Sequence, residues 1–412
     1  MRVCLVNTFH YRRGGDCTYT FDLADLLRSK GHEVVHFAMK HDRNVASEYS
    51  DLFAEHIDFG EAFRSGNPLR SMQAFARSLY SGEARRKFAR LLDRTRPDII
   101  HLQNFRRHLT FSVVREAKDR GLPVVFTAHD YDPICPNSLL LARGSICTAC
   151  NGKHFYKAAI VRCKENSLVG SLAIALEGTF ARLRKYYDLI DIIITPSGFA
   201  RDRLVECGFD RDRVRVVHNF INTTVYEPRY GGEGVIYFGR LVVEKGLDSL
   251  VRAAKALPRA QVILAGDGPE RARLEALARE LGVKSGEGNV EFLGYVERSR
   301  LHRIVSETMC VAMPSIWYEN FPYTVLEAFA LGKPVIASKI GGLPEMVSDG
   351  ETGLLFEPGS EQGLREALSR LLENPDLAAE MGRKARQRVE REFDSETHYG
   401  RIMGIYEPLV RT

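Results

Sequence analysis

Short apolar runs alternate with stretches of helical apolar spacing along most of this chain. In the first half, Val3 to Val6, Ile99 to Leu102 and Val124 to Thr127 are runs of this kind, and the pattern restarts at Val235. Near-continuous apolar runs are typical of strands in parallel sheets, whose two faces are both covered by helices. The pattern therefore predicts an α/β fold made of doubly wound, Rossmann-like domains.

A loop-like stretch separates the two halves of this pattern. Residues 226–234 (Tyr-Glu-Pro-Arg-Tyr-Gly-Gly-Glu-Gly) are rich in Gly, which together with Pro favours turns and linkers. A chain of 412 residues is long enough for two or three domains of usual size. We expect one domain over residues 1–220 and a second over residues 233–390.

The composition is that of an ordinary globular protein, with 44% hydrophobic and 27% charged residues. No stretch approaches the length of a membrane-spanning helix. The apolar run after Met1 is too short for a signal peptide and predicts a first buried strand instead. We therefore expect a cytoplasmic location.

The formal net charge of +5 gives no overall indication of nucleic-acid binding. Basic residues do bunch between Arg64 and Arg96. A solvated helical face is the favoured interpretation of this bunching. The alternative is a patch that docks on anionic lipid or on an anionic acceptor, which would place the protein peripherally on the inner membrane face.

Two glutamates in the C-terminal third are the strongest candidates for a ligand site. Glu319 and Glu327 flank a segment in which Pro322 suits the first turn of a helix. We expect Glu319 in the loop before this helix and Glu327 on the helix itself. The N–H groups of Asn320 and Phe321 would then lie at a helix N-terminus, where anions bind. Carboxylates and N–H groups together suit a ligand that carries both hydroxyls and phosphates.

Further motifs accompany the two glutamates in a definite order along the chain. They are Gly239-Arg-Leu-Val-Val-Glu-Lys-Gly246, Val262 to Pro269, Gly332 to Glu345 and Gly353 to Phe356. In this order they resemble the C-terminal half of the family four retaining glycosyltransferases, over roughly residues 233–358. The resemblance implies the GT-B architecture, in which two doubly wound domains face each other across a cleft. It also implies that a last helix, within residues 391–412, crosses back to the N-terminal domain.

The resemblance assigns a nucleotide-sugar donor to the C-terminal domain. It places Arg240 and Lys245 on the diphosphate, beside Gly239, and implies chemistry that requires no cofactor or metal. It assigns Glu319 to hydroxyls of the transferred sugar and Glu327 to the ribose. The other implied donor contacts are Asn320, Phe321 and Pro322 for sugar and phosphate, and Tyr295 and Val296 for the base. A UDP-sugar is favoured, while GDP- and ADP-sugars remain open.

The N-terminal domain is expected to hold the acceptor side. Gly14 and Gly15 match the position of the family's glycine pair, which lets N–H groups approach phosphate or sugar. His129 follows the strand Val124 to Thr127 and is expected to contact the transferred sugar near its reacting carbon. The alternative for His129 is a buried, hydrogen-bonded histidine. Glycans, lipid-linked glycans and small molecules all remain open as acceptors.

The implied reaction is transfer of a hexose-type sugar with retention of anomeric configuration, as in polysaccharide biosynthesis. The candidate catalytic residues are His129, Arg240, Lys245 and Glu319. Two other functions remain as alternatives. One is a nucleotide-sugar enzyme of the same fold with other chemistry, such as an epimerase, and the other is a catalytically silent, metal-stabilised interaction module. Donor turnover distinguishes the three.

Four of the eight cysteines cluster in an insertion at about residues 133–165. Cys147 and Cys150 have the two-residue spacing of a zinc knuckle, and Cys135 and Cys163 flank them. We predict a structural zinc site here, with His154 as a substitute ligand. Disulfides are one alternative and a redox dithiol at Cys147 and Cys150 is another, although a dithiol leaves the outer pair unexplained.

Overall fold

The computed structural model describes residues 1–64, 67–283 and 289–411. By contacts the chain divides into two compact units, and each contains a six-stranded parallel sheet within these described residues. The first unit comprises residues 1–142, 147–217 and 399–412, and the second comprises residues 143–146 and 218–398. The predicted pair of Rossmann-like α/β domains is confirmed.

The sheet of the first unit has the strand order β2-β1-β3-β4-β7-β8. Its strands are β1 (Arg2–Val6), β2 (Glu33–Phe37), β3 (Ile99–Leu102), β4 (Val124–Thr127), β7 (Ile192–Thr195) and β8 (Val214–Val216). Two further two-residue strands lie in the cysteine insertion, β5 (Leu141–Ala142) and β6 (Ser145–Ile146). The apolar side chains of β1, β3 and β4 are almost fully buried, as expected for central parallel strands.

The helices that precede the second sheet cover the first one and its insertion. They are α1 (Gly15–Ser29), α2 (Phe59–Arg64), α3 (Pro68–Leu79), α4 (Gly82–Thr95), α5 (Phe111–Asp119), α6 (Lys157–Val161), α7 (Leu168–Leu183) and α8 (Gly198–Glu206). Several begin at polar caps: the Asn67 side chain accepts from the N–H groups of Leu69 and Arg70 at the start of α3, directly before Pro68.

The sheet of the second unit has the strand order β11-β10-β9-β12-β13-β14. Its strands are β9 (Val235–Phe238), β10 (Val262–Ala265), β11 (Val290–Gly294), β12 (Cys310–Met313), β13 (Val335–Ser338) and β14 (Gly353–Phe356). The first strand of this unit, β9, therefore lies in the middle, with β10 on one side and β12 on the other. Sheets of this order bind ligands where the strand order reverses, beyond the carboxyl ends of the strands.

The remaining helices surround the second sheet and end the chain. They are α9 (Leu247–Ala254), α10 (Arg271–Glu280), α11 (Arg298–Glu307), α12 (Tyr323–Ala330), α13 (Leu343–Met346), α14 (Glu361–Leu372), α15 (Pro375–Glu392) and α16 (Ser395–Arg411). From Tyr399 onward, α16 belongs to the first unit. There the buried Tyr406 hydroxyl is hydrogen-bonded to His101 Nδ1, and Thr127 Oγ1 lies 2.7 Å from the other ring nitrogen. His101 is thus a core residue.

Candidate functional site

In the second unit, the loops that follow β9, β10 and β11 lie side by side. The Gly239 N–H donates to Ala265 O at 3.0 Å, and the Gly266 N–H donates to Gly294 O at 2.7 Å. A Cβ atom on Gly266 would lie 1.8 Å from Gly239 O, so the two backbones approach as closely as glycine permits. This leaves a floor of main chain at the carboxyl ends of the strands.

Lys245 and Glu319 form a buried ion pair beside this floor. Lys245 Nζ lies 2.6 Å from Glu319 Oε1, and the two side chains are 14% and 4% exposed. Ser315 Oγ donates to the same carboxylate oxygen. Gly246 brings the Lys245 loop against β12, since its φ is 63° and a Cβ would lie 2.2 Å from Pro314 O. The sequence analysis expected Glu319 in a loop and Lys245 on the diphosphate, but only the fold brings the two side chains together.

The segment from Glu319 to Pro322 leads directly into helix α12. The Gly342 N–H donates to Glu319 O at 2.7 Å. Pro322 is the N-cap residue of α12, which begins at Tyr323, so Pro322 stands one position before the helix rather than in its first turn. Asn320 and Phe321 are buried just ahead of this N-terminus. The partial positive charge of a helix N-terminus favours a bound anion at this position.

Phe321 is fixed from behind by two residues of the same unit. The His218 ring stacks on Phe321 with the ring centroids 4.8 Å apart. Asn219 Nδ2 donates to Phe321 O at 2.8 Å. These contacts hold the segment before α12 in one conformation, which is a requirement for recognising a ligand without reorganisation.

Glu327, on α12, faces a cation that the sequence reasoning missed. Arg298 Nη2 lies 3.1 Å from Glu327 Oε1 and donates to the Tyr226 hydroxyl at 2.7 Å. His302 Nε2 lies 4.0 Å from the same carboxylate oxygen. Arg298 opens helix α11, directly after the loop with Tyr295 and Val296. No local pattern around Arg298 indicates this pairing, because its partner is distant in sequence.

Arg240, Tyr295 and Val296 are the more exposed members of the candidate donor site. The Arg240 side chain is 69% exposed, and its nearest described carboxylate, Glu244, lies at 3.8 Å. The Tyr237 hydroxyl donates to Arg240 O at 2.8 Å and so fixes the backbone beneath this side chain. Tyr295 is 83% exposed and Val296 is half-buried. These side chains have room to move onto a ligand.

Several buried polar atoms near this site have no hydrogen-bond partner among the described residues, and Trp317 Nε1 and Ser338 Oγ are two of them. Trp317 Nε1 lies in the loop after β12, and its ring is 5.6 Å from Lys245 Nζ. Ser338 Oγ lies at the end of the neighbouring strand β13. Because buried polar groups are normally hydrogen-bonded, these two atoms are candidate positions for contacts with a ligand.

In the first unit, the glycine pair lies at the start of helix α1. Gly14 is the N-cap residue and Gly15 the first residue of this helix. Asp16 follows in the first turn, and Asn104 Nδ2 donates to its carboxylate at 3.2 Å. Because β1 and β3 are neighbours, the loops after these two strands meet here. The sequence reasoning did not identify Asn104 or the Asp16 carboxylate as part of this edge.

His129 stands at the same edge of the first sheet, after β4. Its Nε2 lies 2.7 Å from Gln103 Oε1, and its ring packs edge-on against Tyr19. Burial lowers the pKa of His129 to about 4, against the opposite effect of the Asp16 carboxylate. The ring is therefore neutral near pH 7. With the proton on Nε2 and donated to Gln103, Nδ1 is left as an acceptor.

The pKa of Asp130, the next residue, is shifted in the opposite direction. Burial raises the pKa of Asp130 to about 7, and the Asp132 carboxylate adds to the shift. Asp130 Oδ1 accepts from the Asp132 N–H at 2.9 Å. A histidine and a carboxylic acid with displaced pKa values, adjacent at the end of a central strand, are typical of a functional site.

The cysteines of the insertion also come together in the first unit. Cys135, Cys147, Cys150 and Cys163 line one small cavity, and all are free thiols. As the side chains stand, no group of three or more His, Cys, Asp and Glu in the described part of the chain could hold a metal ion. The structure therefore gathers the predicted ligands around a common space without bringing them to coordination distance.

Comparison with known proteins gives the class of this chain. A family model described as glycosyltransferase family 4 matches residues 13–225, and one described as glycosyl transferases group 1 matches residues 227–388. The first covers more than half of the chain, and the two together span both units. The chain belongs to the family 4 glycosyltransferases, and its two α/β domains are those of the GT-B fold.

Individual relatives agree with this class, and a solved structure shares the fold. An uncharacterised 42.6 kDa protein of the Klebsiella pneumoniae cps region is 25% identical over 84% of this chain and 87% of its own length. A glycogen synthase of Mycobacterium tuberculosis is 32% identical, over 50% of this chain and 51% of its own length. Anabaena HepE, solved with UDP and glucose, is 19% identical with a TM-score of 0.68 over 99% of this chain and 100% of its own.

Proposed function

We propose that this protein is a retaining glycosyltransferase that moves a hexose-type sugar from a UDP-sugar to a glycan or a lipid-linked acceptor. The observation that carries the proposal is the Lys245–Glu319 pair at the switch point of the second sheet, directly before the N-terminus of α12. A cation, a carboxylate and a helix N-terminus within one loop suit a ligand with a diphosphate and sugar hydroxyls. The HepE complex with UDP and glucose makes UDP the first nucleotide to test.

In this proposal the second unit stabilises the leaving diphosphate. Lys245 has three N–H donors, of which one goes to Glu319, so the ammonium can also face a phosphate. The exposed Arg240 side chain closes over the diphosphate. Glu319, held by Lys245 and Ser315, accepts from hydroxyls of the transferred sugar, and Glu327 accepts from the ribose. Preorganised charges of this kind stabilise a leaving group by several kcal/mol.

The proposed chemistry is attack from the face that the diphosphate leaves. The sugar C1–O bond to phosphate breaks, the acceptor oxygen bonds to C1, and the departing phosphate oxygen takes the acceptor proton. His129, neutral at pH 7, offers Nδ1 as an acceptor to a sugar hydroxyl near C1. The configuration at C1 is then retained without a covalent enzyme intermediate.

The deciding experiment is nucleotide release from a panel of UDP-, GDP- and ADP-sugars. The full chain is compared with Glu327→Gln and with Glu366→Gln, an exposed glutamate on α14. Release that is lost in Glu327→Gln and kept in Glu366→Gln supports the proposal, and proton NMR of the product reports its anomeric configuration. Conversion of the donor to an epimer without nucleotide release would favour the epimerase alternative. Absence of saturable binding of every donor would favour a silent module.

We further propose that the first unit, which is expected to bind the acceptor, docks on an anionic membrane through helix α7. Large apolar side chains lie on one exposed stripe of this helix, opposite its buried face; they are Leu168, Val169, Leu172, Leu176 and Leu183. Val169 and Leu183 are 76% and 77% exposed. Helix α6 packs against α7 and adds Tyr156 and Ile160, which are also exposed. Exposed large apolar side chains gathered on neighbouring helices are typical of an interaction site.

The charge around this stripe favours an anionic membrane as the occupant. Residues 153–185 contain seven Lys and Arg and two Glu, so this segment has a net charge of +5. The whole chain has the same net charge. Of the two acids, Glu177 is buried and paired with Arg107. By contrast, Arg85 and Lys87 in the basic stretch on α4 are engaged in ion pairs, as a solvated structural face would be. No helix in the described ranges is long and apolar enough to cross a bilayer, so the proposed contact is peripheral.

A further inference from the structure

The cysteine insertion encloses a cavity whose size and lining suit a single ion. The cavity has a volume of about 10 Å³, which is the space of one water-sized particle. Apart from the four thiols, its walls are mostly apolar and include Leu140, Leu141, Ala158 and Val161. We propose that Cys135, Cys147, Cys150 and Cys163 close on this cavity around one structural Zn²⁺. This inference does not depend on the donor site, which lies in the other unit.

The four thiols come from three separate turns of the chain. Cys147 directly precedes a tight turn that contains Cys150 and is closed by the Asn151 N–H, which donates to Thr148 O; the His154 N–H then donates to Cys150 O. Cys163 follows α6, with its N–H donating to Ala158 O, and Cys135 lies on the preceding loop. An ion bound at about 2.3 Å from each sulfur would cross-link all three turns in a tetrahedral arrangement.

The backbone of the insertion indicates that such a cross-link is needed. Left-handed φ values at residues other than glycine are concentrated here, at Ser138, Leu140, Arg143, Asn151, Arg162, Glu165 and Asn166. Each costs about 1 kcal/mol or more and persists when the surroundings fix the backbone. The regular structure of the insertion is slight, with a five-residue helix and two two-residue strands. A metal cross-link supplies the missing constraint.

Asn137 and Lys157 provide the surroundings that a zinc–thiolate centre requires. In the thiol form Cys135 Sγ donates to Asn137 Oδ1 at 2.9 Å, a bond that is lost when the thiol gives up its proton, whereas the bond from Asn137 Nδ2 to Leu141 O at 2.7 Å does not depend on that proton. Asn137 therefore positions the Cys135 loop against the opposite wall of the cavity. Lys157 lines the cavity, and its single positive charge offsets half of the net −2 of one Zn²⁺ with four thiolates. Binding releases the four thiol protons to solvent.

The proposed ion would also support the surface of α7. Cys150 packs with Phe155, Ala158 and Ala175, and Ala175 lies on the buried face of α7. A Cβ on Gly178 of the same helix would lie 3.1 Å from the Phe155 ring, so the insertion and the helix are in close contact. Loss of the ion is expected to loosen α6 from α7.

The test is elemental analysis of the full chain purified without chelators. About one zinc per chain is expected in the wild type, and its loss is expected after Ser substitution of Cys135, Cys147, Cys150 or Cys163. Cys207→Ser is the matched control, because Cys207 is a buried cysteine near Asn151 that does not line the cavity. Asn137→Ala should keep the ion but weaken its affinity about 10- to 100-fold in competition with a chelator.

Replacement of zinc by Co²⁺ gives a second readout, since tetrahedral thiolate ligation produces intense visible bands. Hydrogen exchange in residues 133–165 should rise when the ion is removed, while exchange in the second sheet stays unchanged. Metal-free wild type, with the thiols reactive or joined as a Cys147–Cys150 disulfide, would overturn the proposal. So would undiminished zinc in Cys135→Ser and Cys163→Ser. The zinc content of the wild type tests the proposal by itself, so the test does not depend on whether every variant folds.

Discussion

Lys245 Nζ and Glu319 Oε1 lie 2.6 Å apart although 74 positions separate the two residues in the chain. Both side chains are largely removed from water, and Ser315 supplies a further hydrogen bond to the carboxylate. A buried pair of this kind is weak evidence for stability as such, since each charge loses its hydration. Its presence at the switch point of the sheet instead fits a site that holds charges ready for a ligand.

Removing one partner of this pair should destabilise the second unit. Lys245→Met leaves the Glu319 carboxylate buried without its cation, and we expect a loss of about 3 kcal/mol in the free energy of unfolding. The double variant Lys245→Met/Glu319→Gln should lose less than the sum of the two single variants, by about 1–3 kcal/mol. Urea unfolding measures both quantities. Lys255→Met, at an exposed lysine just after α9, should stay within about 0.5 kcal/mol of wild type; strict additivity would contradict the pairing.

Gly246 should not tolerate a side chain because of a steric clash, and comparison with Gly282 separates this clash from the cost of a left-handed φ. Gly246 and Gly282 have nearly the same φ, 63° and 68°, but a Cβ on Gly246 would lie 2.2 Å from Pro314 O, whereas a Cβ on Gly282 meets no atom of the described residues within 4 Å. Alanine at either position should lower the free energy of unfolding by about 1 kcal/mol, because an L-residue is strained at a left-handed φ. Gly246→Ala should add a steric cost that brings the loss to about 3 kcal/mol or more. Equal losses in thermal unfolding would exclude the close approach.

The comparison of these residues shows how far the sequence could predict the site. The run Val235 to Phe238 and the glycines after it indicate a strand and a close backbone turn, because both depend on residues next to each other. The Arg298–Glu327 contact and the Gln103–His129 contact depend on which strand ends become neighbours, and no local pattern records that. The exposed apolar stripe of α7 depends on which face of the helix is buried, and the sequence alone does not show that.

Glu327 and Arg298 should act together on the nucleotide. Glu327→Gln removes the charge that would accept from the ribose hydroxyls, and we expect UDP affinity to fall about 10- to 100-fold. Arg298→Gln should weaken UDP binding less, since Arg298 acts by orienting the Glu327 carboxylate 3.1 Å away. In the Glu327→Gln background, Arg298→Gln should then have little further effect. Calorimetric titration with UDP measures this without an acceptor, and independent effects of the two substitutions would contradict the orienting role.

Asp130 should make stability fall as pH rises. Its pKa is raised from 3.8 to about 7 in the folded protein by burial, so between these values the unfolded chain ionises while the folded chain stays protonated. Stability from this group is full at low pH and is lost as pH rises through about 7. Asp130→Asn removes the titration and keeps the oxygen that accepts from the Asp132 N–H.

The measurement is urea unfolding of wild type and Asp130→Asn at a series of pH values. The free energy of unfolding of the variant should increase relative to that of the wild type as pH rises. The difference should be smallest at acid pH and largest above neutrality. His129 contributes in the opposite sense, because its lowered pKa of about 4 removes stability as pH falls, but this contribution is shared by both proteins and largely cancels. Asp51→Asn, at an exposed aspartate, should show no such trend. A difference independent of pH would mean that Asp130 is ionised in the fold.

The stripe on α7 should bind vesicles through separable apolar and basic contributions. Val169→Ser should weaken binding to vesicles of phosphatidylcholine with phosphatidylglycerol, whereas Val45→Ser, at an exposed valine away from α7, should not. Arg184→Gln and Lys185→Gln should each lower affinity for anionic vesicles about fivefold at low salt, with a smaller effect at high salt because the attraction is screened. Arg86→Gln, on α4, is the charge control. Absence of wild-type binding to anionic vesicles would contradict the proposal. A dimer that Val169→Ser dissociates would show that another surface of protein, and not lipid, covers this helix.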